Sequence, residues 1–174
     1  MNQAASKSGD VRADLLKEIA VEIGSHEDWW LFPTQEPIQG FMGTDPIFIV
    51  GDQPSTAEWG PGHPSRKIFY QTLQSAGLHN AHLTDIYKKR GYSSSLNPAL
   101  LSDDFPEHVS FLRKEIQILR PKLIVGLGAL AQRLLKQSLP EWRDPIPRIY
   151  HFSHVVKESL DPKQYEDNMR DIIL

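Results

Sequence analysis

The sequence contains no cysteine. That excludes disulfides, thiol nucleophiles and any zinc or iron–sulfur site built on cysteine thiolates. It leaves the redox compartment open, because a chain without thiols is indifferent to it. Excess positive charge is missing too: 19 Lys and Arg face 22 Asp and Glu, a formal net charge of −3. Nucleic acid therefore cannot be held by an overall basic field, and any phosphate contacts must come from local clusters. No apolar run approaches the roughly 20 residues needed to cross a bilayer, so no membrane partner is expected. The N-terminal MNQAASKSGD lacks the charged-then-apolar layout of a secretory signal, and a cytoplasmic protein is the default expectation. Internal repeats and low-complexity tracts are also absent.

What is present is an ordinary soluble composition, 40% apolar and 24% charged over 174 residues. That length suits one domain, residues 1–174, with a sizeable core. Asp10 is placed to cap a first helix running to about Ile23, with Leu15, Leu16, Ile19 and Ile23 on one face and Gly24 as its stop. Residues up to 46 then form an irregular segment punctuated by Pro33, Pro37, Gly40, Gly43 and Pro46. Trp29 and Trp30 are assigned to packing within it. From Ile47 strands and helices alternate. The strands are Ile47–Val50, His82–Tyr87, Leu123–Leu127 and Arg148–Phe152. The helices are Lys67–Ala76, one opened by Pro106 with Val109, Leu112, Ile116 and Leu119 inward, a short one carrying Leu130, Leu134 and Leu135, and one opened by Asp161-Pro162. Strands separated by helices predict an α/β fold: a three-layer α/β/α sandwich around a mainly parallel four-stranded sheet.

Ligands of such sheets bind beyond the carboxyl ends of the strands. There the sequence has Gly51-Asp52-Gln53-Pro54-Ser55, then Thr84-Asp85 running into Lys88-Lys89-Arg90, and finally His151-Phe152-Ser153-His154 ahead of Lys157. Each alone is an ordinary turn or cap. Together they bring two carboxylates and a histidine to three ends of one sheet, with basic residues after two of them. Gly126-Leu127-Gly128-Ala129-Leu130-Ala131 fits the letters of a dinucleotide fingerprint. No acidic residue ends the next strand to hold a ribose, so close helix–sheet packing explains it better. His63, His79, His82, His151 and His154 form no recognisable ligand set, so neither a metal nor another cofactor is expected.

In this order the landmarks resemble the uracil-DNA glycosylase superfamily, most closely its iron–sulfur-containing members. GDQPS at 51–55 is similar to the family's GEAPG or GEQPG. GHPSRKIFYQTLQSAGL at 62–78 is similar to its GRPF segment and following helix, and HLTDIYKKRG at 82–91 to its strand ending in TNVVKCRP. LRPKLIVGLGALAQRLL at 119–135 is similar to its PKVIVALG strand and helix, and HFSHVVK at 151–157 to HPSYLLR. The resemblance spans about residues 47–157 and leaves 1–46 without a functional reading.

The resemblance implies an enzyme that hydrolyses the N-glycosidic bond of a base flipped from single- or double-stranded DNA; a monomer is expected. Asp52 would orient water and stabilise the sugar cation, and His151 would donate to the departing base. Gln53, Asp85, Ser65 and Phe69 would surround the base. Pro54, Ser55, Lys88, Arg90, Ser153, His154 and Lys157 would meet the DNA backbone. Three departures stand out. The cluster cysteines are absent, so no iron–sulfur cluster is expected. Ser65 replaces the aromatic residue that stacks on the base, so either Phe69, Tyr70 or Trp59 takes over or the pocket is wider. Asp85 replaces the asparagine that reads uracil. An ionised aspartate only accepts, repelling the O4 of uracil while able to accept from an exocyclic amine. The expected base is therefore a relative of uracil rather than plain uracil, with modified cytosines as candidates; the alternative is that Asp85 is protonated or turned away and uracil is still read. A nucleoside or nucleotide N-glycosidase, and a binding module without catalysis, are the competing readings.

Overall fold

The computed structural model describes residues 4–54, 59–90 and 102–174, with side chains from residue 11 onward. Helix α1 (Ala4–Gly24) leads into a segment without regular structure apart from a short 3-10 turn at Gly40–Met42. There follow β1 (Ile47–Gly51), α2 (Pro64–Ser75), β2 (His82–Asp85), α3 (Phe105–Leu119), β3 (Leu123–Leu127) and α4 (Ala129–Ser138). The chain ends with β4 (Arg148–Ile149), α5 (Ser153–Val156) and α6 (Pro162–Ile173).

All strand pairs are parallel, and their order across the sheet is β2-β1-β3-β4. Each central strand sends alternate side chains to opposite faces, as the period of an extended chain requires. Phe48, Val50 and Ile124 join a core with Leu16, Ile19 and Ile23 of α1, Leu112 and Leu119 of α3, and Leu134 and Leu135 of α4. Ile49, Val125 and Leu127 point the other way, into a core with Phe69 and Leu73 of α2, Val155 of α5, and Tyr165 and Met169 of α6. The expected sandwich is therefore present, with α1, α3 and α4 on one face and α2, α5 and α6 on the other.

Boundaries differ from the sequence expectation in several places, among them the end of β2, which stops at Asp85 rather than Tyr87. Asp10 lies inside α1 rather than at its cap. Helix α2 starts earlier, at Pro64, because the His63 ring accepts from the Ser65 amide and caps it. The last strand is only two residues long, since residues 153–156 coil into α5. That short strand matters, because it frees His151 and Phe152 to turn over the sheet's edge.

The order β2-β1-β3-β4 puts a topological switch between β1 and β3: the chain leaves β1 toward one side and β3 toward the other. The crevice this opens at their carboxyl ends is where parallel sheets take ligands. Gly126 lets α4 pack into the end of β3, where any Cβ would strike the Gln132 backbone. The glycine pair thus serves packing.

Candidate active site

A cavity of about 360 Å³ opens at that switch. Its floor is Gly51, Asp52 and Gln53 after β1, Asp85 at the end of β2, and Leu127 at the end of β3. His151 and Phe152 close one side and Pro54, Trp59, Gly60 and Arg66 another. Trp30, Leu31, Phe32 and Pro33 arrive from the N-terminal segment. The walls are mainly aromatic and aliphatic, and two carboxyl groups and one imidazole are set among them.

Register brings the two carboxylates together. Gly51 pairs with Asp85 in the sheet, and Ile86 and Tyr87 donate backbone hydrogen bonds to the carbonyls of Gly51 (2.9 Å) and Asp52 (3.0 Å). A Cβ on Gly51 would collide with Asp85 Oδ1, so only glycine lets the Asp85 side chain lie there. Burial raises Asp52 above the ordinary carboxylate range, and the backbone amides of Asp52 and Gln53 counter part of that rise. Asp85 is pushed up further: burial comes first, then the Asp52 charge, with Lys88 opposing and Glu115 adding to the rise.

His151 is held in one tautomer. The Ser153 amide donates to its Nδ1 at 3.1 Å, and the Ser153 hydroxyl lies 2.8 Å from the same nitrogen. An acceptor at Nδ1 leaves the proton of the neutral ring on Nε2. Burial pushes the imidazole down to about 4, with the charges of His154 and Lys157 helping. At neutral pH it is an uncharged N–H donor.

Behind Asp85 lies a buried charge cluster. Lys88 Nζ donates to Thr84 Oγ1 (2.7 Å), to the Asp85 carbonyl (2.7 Å) and to Glu115 Oε1 (2.8 Å). The other Glu115 oxygen is 3.1 Å from His82 Nε2. Burial alone would raise Glu115, but Lys88 and His82 outweigh it and hold the carboxyl below its usual range.

Several sequence expectations need correction. Lys88, expected at phosphates, is fully buried and spends its charge on Glu115. Phe69, expected at the base, is also fully buried and does not line the cavity. Instead it supports Phe152 (ring centroids 5.4 Å apart) and Phe32 (6.1 Å) from behind. Ser65 sits in the first turn of α2, outside the cavity wall. Ser55 lies outside the described residues. Asp52, Gln53, Pro54, Asp85 and His151 do line one cavity, while Arg90, His154 and Lys157 are exposed and Ser153 is half-buried. The Ser153 amide is committed to His151 rather than free for phosphate.

The sequence reading missed most of the walls. Trp29 does pack internally, stacked on His26 at 3.8 Å. Trp30, assigned to packing with it, is 40% exposed and faces the cavity. Its amide donates to the Lys88 carbonyl (2.6 Å), and Tyr70 donates from its hydroxyl to the Pro33 carbonyl (2.6 Å). Those bonds seat the N-terminal segment against the cavity. Among Phe69, Tyr70 and Trp59, only Trp59 reaches the cavity wall. Its carbonyl accepts from Arg66 at 3.0 Å, and its ring meets Phe32 edge-on at 5.4 Å.

Among the described residues no group of His, Asp and Glu is placed to hold a metal ion, and no helix is long and apolar enough to cross a membrane. A parallel α/β sandwich with acid, amide and imidazole groups at its switch point belongs to the class of domains that take ligands beyond the carboxyl ends of their strands. Residues 41–171 match the uracil DNA glycosylase superfamily, and the chain belongs to that family. No curated protein matches it.

Proposed function

We propose that this protein is a DNA glycosylase that hydrolyses the N-glycosidic bond of a base flipped into the 360 Å³ cavity. The observation that carries this reading is that Asp52 and His151 line the same aromatic-walled cavity in complementary states. Burial raises the Asp52 carboxyl, two backbone amides favour its anion against that rise, and His151 is a neutral donor. The bond from C1′ to the base breaks with its electron pair leaving on the base. The sugar becomes cationic, and Asp52 stabilises it and accepts a proton from the water that adds to C1′. His151 Nε2–H stabilises the negative charge gathering on a carbonyl of the departing base. Trp30, Phe32, Trp59 and Phe152 provide the faces between which a flipped base stacks. The exposed side chains of Arg90, His154 and Lys157 are the candidates to meet the DNA backbone.

The test is cleavage of duplex and single-stranded oligonucleotides carrying uracil, hypoxanthine, xanthine or a 5-substituted cytosine, followed by alkali to reveal abasic sites. Excision of at least one base, lost by about two to three powers of ten in Asp52→Asn while DNA affinity is kept, is the expected result. No excision with salt-sensitive DNA binding retained would make the protein a binding module. Activity on free nucleosides alone would make it a nucleoside N-glycosidase.

A further inference from the structure

Asp85 is a carboxyl group with nowhere to place a charge. It is 6% exposed, and no described side chain donates to its oxygens. The nearest cation, Lys88, has three N–H bonds, and all three are spent on Thr84 Oγ1, the Asp85 backbone carbonyl and Glu115. From β1, the Asp52 carboxylate faces Asp85; from α3, Glu115 adds a second negative charge. Arg66 and His151 share the cavity, but neither is among the charges that act on Asp85: Arg66 donates to the Trp59 carbonyl and lies over the Tyr70 ring, and His151 is uncharged. A carboxylate buried beside like charges without donors takes up a proton.

We propose that Asp85 reads the flipped base as an uncharged carboxylic acid, its O–H donating and its C=O accepting, so that it stands in for an amide. The inference rests on the glycosylase reading and names the edge that site recognises. A neutral acid complements an edge with one donor beside one acceptor. The N3–H and O4 of uracil qualify, as do the N1–H and O6 of hypoxanthine. The proton can sit on either oxygen, so the order of donor and acceptor follows the base, and the N3 and amine of a cytosine also fit. An ionised Asp85 would instead pair with two adjacent donors, as on the N1–H and amine of guanine. Because the acid must be neutral, recognition is present below its raised pKa and is lost as pH climbs through it.

Two measurements test this. The first is the affinity of a non-hydrolysable duplex bearing 2′-fluoroarabinouridine, relative to the same duplex bearing 2′-fluoroarabinoguanosine, whose edge offers two donors, from mildly acidic to mildly alkaline pH. The wild type should lose its preference by about tenfold per pH unit beyond the Asp85 transition, and Asp85→Asn, which cannot ionise, should lack that limb. The second is the urea midpoint of both proteins. If Asp85 is neutral when folded, wild-type stability falls relative to Asp85→Asn as pH rises from the unfolded carboxyl range to the folded pKa. Identical pH profiles in the two proteins would overturn the proposal. So would preference for a guanine-type edge that strengthens with pH, or no preference for the uridine analogue at any pH. Failure of the glycosylase reading looks different: the analogue binds with the expected pH dependence, yet no hydrolysable substrate is cut.

Discussion

Replacing Lys88 with methionine separates a structural cation from a DNA-binding one. The ammonium is 0% exposed and holds Glu115, Thr84 and the Asp85 carbonyl within 2.8 Å. Methionine keeps the apolar stem but leaves a buried carboxylate without its cation and a buried carbonyl without its donor. Removing one partner of a buried pair costs about 3–5 kcal/mol, because the desolvated charge that remains is uncompensated. For a chain of this size each kcal/mol moves the melting temperature by about 2–4 °C, so the drop should be on the order of 10 °C. The double variant Lys88→Met/Glu115→Leu should recover part of that loss: it leaves no unpaired carboxylate, while the Asp85 carbonyl and His82 Nε2 stay without their partners. Thermal and urea unfolding, each followed by tryptophan fluorescence, read the shift in both variants. The argument is refuted if Lys88→Met unfolds within about 0.5 kcal/mol of the wild type, the ordinary range for a surface change. It is refuted equally if the variant stays stable while the salt dependence of DNA binding falls by about one unit, the signature of a lost phosphate contact.

Two further variants probe the cavity itself. His151→Ala should lower the single-turnover excision rate by about two to three powers of ten with little change in DNA affinity, since the Nε2–H contributes as charge builds on the leaving base; an equal fall in affinity would mark a ground-state contact instead. Gly51→Ala puts a methyl where Asp85 Oδ1 lies, so it should weaken binding of the uridine analogue by about 5- to 150-fold, the worth of a buried polar contact, and cost about 1–3 kcal/mol in overpacking. Unchanged analogue affinity would place the Asp85 carboxyl elsewhere.

The sandwich was legible because its signals are local and repeated. IFIV and LIVGL read as buried strands because they are short, rich in β-branched residues and followed by glycine turns, and the inward stripe of α3 is read directly from its spacing. Asp52, Asp85 and His151 were legible because parallel topology sends every strand end to one edge. Lys88 was misread because sequence shows a basic run, Lys88-Lys89-Arg90, while only three-dimensional packing shows that Glu115 waits beneath it. A hint existed: Glu115 stands three residues after Leu112 and four before Leu119 on the buried stripe, and a carboxylate there needs a cation. His82 at the start of a wholly buried strand is the same kind of hint. Trp30 and Phe32 were beyond reach for another reason. Their segment has no period to read, and its position is set by single long-range bonds to the Lys88 carbonyl and from the Phe41 amide.

The burial of Lys88 also bears on how the two carboxyl groups divide their labour. Had its ammonium reached the Asp85 side chain, both acids at the cavity floor could have been ionised. Instead Glu115 takes the cation, and the floor is left with two carboxyls near each other and too little compensation for both. Such a pair gives up one ionisation, and the site with more hydrogen-bond donors keeps its charge. Two backbone amides favour the anion at Asp52; no described side chain does so at Asp85. On the glycosylase reading proposed above, the negative charge then settles where a positive sugar would be stabilised. It would be withheld where the base departs as an anion, and an ionised Asp85 there would oppose bond cleavage as well as misread the base. A neutral O–H at that position would act in the opposite sense, as a second donor to the leaving group beside His151. The asparagine-to-aspartate change, which from sequence alone argued against uracil, is compatible with it once the carboxyl is uncharged.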